Sequence, residues 1–240
     1  RLLFYALRDM EAGEEVDYSY LGGHFTLHPA PMRREQLLRA KHFECRCSRC
    51  LGPEEAFRPP CADEEGLSRY QRLEPMLLAK VTSLEGKWND PAKDVKKYIS
   101  DWEALAKSCV SMLGPWHSTS GRACFFALQA LNTGRLLGVG GVDAARHAAG
   151  VETFARQLVR YLQECCPQGS RRASLEPVGR ALLSLAESGE PRHRDLAVAV
   201  AEEAGLGDLR TCLYDEGAGL AVLLRRLLPQ ASDEGCGGQG

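Results

Sequence analysis

Three cysteines within six residues, Cys45, Cys47 and Cys50 in the run Phe43-Glu44-Cys45-Arg46-Cys47-Ser48-Arg49-Cys50, limit what this chain can become more than any other stretch. A thiolate is a soft anionic ligand, and zinc takes four ligands in a tetrahedron. An extended C-x-C lets two sulfurs turn inward, and a tight turn after Cys47 returns Cys50 to the same point. That leaves one corner for a ligand from elsewhere, with Cys61 and His42 as local candidates. The bland alternative is three reduced thiols without a metal. A redox role needs a thiolate of lowered pKa, which Arg46 and Arg49 could favour, but C-x-C-x-x-C is not the usual redox spacing.

The rest of the composition narrows the setting. At 240 residues the chain has room for one large or two small domains, and 44% apolar residues suffice for a core. A net charge of −2 argues against a dedicated nucleic-acid binder. Ten cysteines in a chain this long do not form a secreted disulfide scaffold, so a reducing compartment, nucleus or cytoplasm, is expected. Neither a signal peptide nor a membrane span is visible. The chain opens on Arg1 and an apolar run, and is expected to begin inside a domain of a longer protein.

Residues 2–7 read as a short buried strand, and Arg8 to Gly13 as a turn in which Gly13 takes a positive φ. Val16 to Tyr20 reads as a second strand with Val16, Tyr18 and Tyr20 on one face. From composition alone, Tyr18 and Tyr20 are core aromatics and Phe43 is a hydrophobe beside a metal knuckle. A loop through His24 and His28 leads to a short helix over 32–40, ending just ahead of the cysteines. Between Arg33 and Arg49 six Arg or Lys stand against two Glu. A solvated face is the expectation, and an anion-attracting rim the sharper alternative.

In this order, Gly13-Glu14-Glu15-Val16-x-x-Ser19-Tyr20, a basic helix and Phe43-x-Cys45-x-Cys47-x-x-Cys50 resemble the end of a SET domain and its post-SET zinc motif. They are most similar to the SMYD (SET and MYND) branch of protein-lysine methyltransferases. The resemblance covers residues 1–51 by motif and the remainder by architecture. It implies that Tyr20 lines the methyl-transfer site and touches the cofactor, S-adenosylmethionine. It further implies that Phe43 packs on the cofactor's adenine, and that Cys45, Cys47 and Cys50 are three of four zinc ligands. The fourth, in the family, is a cysteine of an upstream N-H-S-C segment that this sequence does not contain, so that cysteine and Cys61 stay open as alternatives. Lys41 stands where the family usually has tyrosine. The MYND module and the glycine-bearing cofactor segment are also missing from the sequence, so this stretch by itself is expected to be inactive.

Beyond the cysteines, Pro53, Pro59 and Pro60 mark a linker, after which the apolar period becomes helical. Stripes run through Tyr70, Leu73, Leu77, Val81 and Leu84, with Pro75 kinking or delaying the first helix. Val95, Ile99, Trp102, Ala106, Cys109 and Leu113 follow behind an Asp90-Pro91 cap. Next come Cys124, Leu128 and Leu131. Asp143 caps a helix through His147, Val151, Phe154, Leu158 and Tyr161. Ser174 caps Val178, Leu182 and Leu185, and two more helices cover about 192–204 and a stretch ending at Leu228. Cys109, Cys124 and Cys212 read as small core residues, and His147 as a satisfied buried histidine.

The expected fold is therefore α+β, mostly α. Residues 1–31 form the end of a SET core, 32–52 a post-SET helix and zinc motif, and 53–64 a linker. Residues 65–228 form a TPR-like array of αα-hairpins, and 229–240 a disordered tail. The resemblance implies an S-adenosylmethionine-dependent protein-lysine N-methyltransferase with a lysine-bearing protein or peptide as substrate. A protein partner on the helical domain is possible under it, and neither nucleic acid nor membrane is a partner. The alternative is a non-catalytic scaffold with a degenerate SET remnant that binds a peptide on its helices.

Overall fold

The computed structural model describes residues 11–13, 20–21, 23–51, 64–90, 94–138, 141–165 and 190–203, with helical residues at 178–179, 181–182 and 184–185. The two expected strands lie outside these residues except for Tyr20, which sits in a bend. The linker, Cys61, Cys212, the last helix and the tail also lie outside them. Among the described residues the chain is predominantly helical and contains no strand. The turn at Gly13 has the expected positive φ, +92°.

After a 3-10 turn, Gly23–Leu27, helix α1 spans Ala30–Lys41, close to the expected bounds. Pro31 in its first turn needs no amide partner there, and His42 closes the helix in the left-handed conformation, φ 59°. One face of α1 is buried, through Ala30, Arg33 and Leu37. A single helical turn, α2 (Ser48–Leu51), folds back against α1.

The helical region begins with α3 (Glu64–Gly86), whose span continues across Pro75. The expectation that Pro75 delays the start of this helix is corrected. Its missing amide leaves one carbonyl a turn earlier, at Gln71, and both residues are exposed, so water can satisfy what the helix does not. Helix α4 (Val95–Leu113) is capped by Asp94, whose carboxylate accepts from the Lys97 amide at 3.0 Å, and not by Asp90. The cap falls where a side-chain oxygen precedes the amphipathic stripe by one residue, and that stripe starts at Val95. Gly114, φ 89°, ends α4 as the Gly-Pro pair requires.

Helix α5 (Ser118–Leu136) occupies the centre, packed against α3, α4, the 3-10 turn and the helices that follow. It is buried nearly all round, including Ser118, Thr119, Ser120 and Arg122. Asp143 caps α6 (Ala144–Gly150), accepting from the Arg146 amide at 2.7 Å. The chain continues through one π-helical stretch, Val151–Ala155, into α7 (Arg156–Cys165). His147, Val151, Phe154, Leu158 and Tyr161 all reach the core across this change of element. Helix α8 (Pro191–Glu203) packs on α7.

One apolar core joins these helices. Trp102 is fully buried and stacks on Phe126, centroids 5.0 Å apart. Two glycines permit the closest approaches made by α5: a Cβ on Gly121 would lie 2.6 Å from the Tyr161 ring, and one on Gly150 would collide with Leu131. Leu27 of the 3-10 turn belongs to the same core, and so fastens the cysteine-bearing segment to the helices. Beside it, Glu85 of α3 pairs with buried Arg122 of α5 and stands 4.0 Å from His28.

Candidate metal centre and aromatic pair

The thiol-bearing segment is built by three local devices. His42, in its left-handed conformation, turns the chain out of α1. Residues 43–46 then run without regular structure. At Cys47 the carbonyl accepts from the amides of Cys50 (2.9 Å) and Leu51 (3.0 Å), closing the turn that brings the third sulfur back. The ligand atoms of Cys45, Cys47 and Cys50 consequently all lie within 4.8 Å of one another. A tetrahedral zinc with Zn–S bonds of about 2.3 Å needs sulfurs about 3.8 Å apart. The separations in the trio are of that order. It is graded from buried Cys50 through half-buried Cys45 to exposed Cys47.

Burial raises the Cys45 thiol to about 11, and side-chain hydrogen bonds with Cys47 and Cys50 add to the rise, partly offset by the Cys47 backbone amide. Burial thus favours the neutral form of the Cys45 thiol in the absence of a cation. A divalent cation reverses that balance by supplying the opposite charge at the same point. His42, the other local candidate ligand, is exposed and does not join the cluster. Among the described residues this is the one group of three or more metal-ligating side chains.

Two residues ahead of Cys45, Phe43 is half-buried and meets Tyr20 edge to face, ring centroids 5.1 Å apart. The structure thus brings together two aromatics 23 positions apart. Tyr20 is 47% exposed, so described residues do not enclose it, and Lys41 is exposed as well.

The basic stretch does not behave as one solvated face. Arg39, Lys41 and Arg46 are exposed and Arg34 pairs with Glu44, but Arg33 is buried. Its Nη1 donates to the His28 carbonyl and its Nη2 points at the Cys50 sulfur, 4.0 Å away. Composition hid this residue inside a charge run. The one available signal was its position, since 30, 33 and 37 share a helical face with two apolar residues.

Of the remaining cysteines, Cys109 and Cys124 are fully buried core residues, their thiols pushed up by burial, Cys109 to about 12. His147 is buried as expected, but among the described residues its Nε2 has no hydrogen-bond partner, which corrects the expectation of a satisfied histidine. Burial, with Arg135 and His193 nearby, lowers its pKa to about 4. The imidazole is kept neutral because the apolar core, not a partner, dominates its surroundings. No helix among the described residues is long and apolar enough to cross a membrane. No family model and no curated protein matches the chain.

Proposed function

We propose that this chain is the C-terminal part of an S-adenosylmethionine-dependent protein-lysine methyltransferase of the SMYD type, with its substrate a lysine side chain of a protein or peptide. The observation that carries the reading is the Tyr20–Phe43 contact immediately before the thiol trio. These five residues are the ones the family motif singles out. Under this reading the missing walls of the cofactor site come from upstream of Arg1. The helices from α3 onward form a TPR-like array.

Cys45, Cys47 and Cys50 would hold zinc, which here orders the chain and takes no part in chemistry. S-adenosylmethionine, when bound, supplies an electrophilic methyl group on a sulfonium. The chain's own residues then have three tasks. Phe43 offers an aromatic surface to the adenine. Tyr20 presents a hydroxyl that can align the incoming amine, whose lone pair must be free although a lysine in water holds its proton up to about pH 10.4. The aromatic walls exclude water and so favour the neutral amine. Since methyl transfer is an in-line displacement, orientation is the main demand on the protein.

The test is transfer of labelled methyl to lysine peptides by a protein that includes this chain and the segment upstream of it. Tyr20→Phe is expected to slow the transfer at least about tenfold, the size of effect a lost orienting group produces. A variant as fast as the parent takes Tyr20 out of the mechanism.

The second reading, a non-catalytic scaffold, draws on the exposure of Tyr20 and on Lys41 where the family has tyrosine. It predicts that the unaltered protein transfers no methyl group while still folding and binding metal.

A further inference from the structure

The cysteine trio carries a charge problem that one residue is placed to relieve. Zinc held by three thiolates bears one net negative charge, and a fourth thiolate makes it two. Cys50 is the buried member of the trio, on the side that faces α1. Negative charge there is costly unless a cation stands close in the same low-dielectric surroundings.

We propose that Arg33 is the positioning cation of this metal centre, its buried guanidinium held against the Cys50 sulfur to offset the thiolate charge and to lock the turn after Cys47 onto α1. The role rests on the reading of Cys45, Cys47 and Cys50 as metal ligands. Three observations support it. Arg33 is 4% exposed, whereas Arg39, Lys41 and Arg46 lie in solvent where water and salt screen them. The two ends of its fork are used differently: Nη1 donates to the His28 carbonyl and Nη2 is directed at Cys50 Sγ, 4.0 Å away. The planar guanidinium presents both donors in one rigid fork, whereas a lysine ammonium is a point charge on a flexible stem. Finally, His28 follows Leu27, the residue that anchors this segment in the helical core. The same side chain therefore connects the sulfur, the end of the 3-10 turn and the core.

An N–H directed at a metal-bound thiolate lowers the energy of the sulfur lone pair. It should strengthen retention of the metal and raise the energy of sulfur-to-metal charge transfer. Both effects can be read with cobalt as a probe and zinc as competitor.

The experiment takes the metal-free protein, this chain together with the segment upstream of it, titrates it with Co2+ and then displaces the cobalt with Zn2+ in the presence of a chromophoric chelator. Arg33→Met is expected to weaken zinc about 10- to 100-fold and to move the charge-transfer bands to longer wavelength. Arg46→Gln, which removes an exposed charge between two of the cysteines, is expected to change affinity less than about threefold. If Arg33→Met loses its helical circular dichroism without metal, Arg33→Lys and Arg33→Gln carry the test. The charged lysine should then hold zinc at least about fivefold tighter than the neutral glutamine, and equal affinities overturn the role. Unmoved bands with unchanged affinity in Arg33→Met, or an equal loss in Arg46→Gln, also overturn it. Absence of cobalt bands in the parent protein removes the metal reading itself, an outcome distinct from a parent that binds and a variant that binds alike.

Discussion

Among the described residues between Tyr20 and Leu51, those buried are Thr26, Leu27, His28, Ala30, Arg33, Leu37 and Cys50. More than half of them carry a polar or sulfur group. Between Glu64 and Glu203 the buried set is dominated by Leu, Val, Ala and aromatics around Trp102 and Phe126. The second region gathers apolar surface, which is non-directional and additive over area. The first has less of it and sets Leu27, Ala30 and Leu37 beside buried polar groups and a trio of cysteines that could hold a metal ion.

The largest test of this contrast is Trp102→Ala, expected to cost the helical region about 3–5 kcal/mol in denaturant unfolding, since it removes a fully buried aromatic stacked on Phe126. A loss below about 1 kcal/mol would show that the core is not what holds this region.

Next comes acid. His147 has a folded pKa of about 4 against the ordinary 6.5 of a solvated imidazole. Below pH 6.5 the unfolded chain therefore binds a proton that the folded chain refuses. Its contribution is fully present above pH 6.5 and fades as the pH falls towards 4. Comparing about pH 7.5 with about pH 4.5, the parent chain should lose about 2–3 kcal/mol more than His147→Leu. Parallel pH profiles would contradict the burial-driven shift.

A smaller effect is expected at the helix contacts. Gly121→Ala presses a methyl group to within 2.6 Å of the Tyr161 ring and should cost about 1–3 kcal/mol, while Gly86→Ala, with nothing within 4 Å, should be neutral or mildly stabilising. Equal effects at the two glycines would mean that α5 and α7 can separate freely.

The smallest change sharpens the comparison most. Cys47→Ser should abolish stoichiometric metal binding yet move the unfolding free energy of the helices by less than about 0.5 kcal/mol. A drop of several kcal/mol would show that the two regions unfold as one unit through Leu27 and the Glu85 contacts.

Much of this was legible residue by residue. The stripes Ile99–Trp102–Ala106–Cys109–Leu113 and His147–Val151–Phe154–Leu158–Tyr161 named the buried faces of α4 and of α6 to α7, because a repeat of about 3.6 follows directly from helix geometry. The turn after Cys47 and the convergence of the three sulfurs were legible from spacing. Two misreadings share one cause. Pro75 does not delay the start of α3, and Asp94 takes the place of Asp90 as a cap. In each, what surrounds the residue outweighs its local preference.

By itself, then, the sequence determined which faces are apolar, where the sulfurs meet and which aromatics a family motif would pair, since each depends on neighbours a few positions away along the chain. Only the tertiary structure decided that α5 lies at the centre, that Arg33 leaves the basic run for the interior, and that Tyr20 touches Phe43. Those outcomes depend on which surfaces exclude water together. Packing settles that among elements far apart in sequence, and no local periodicity encodes it.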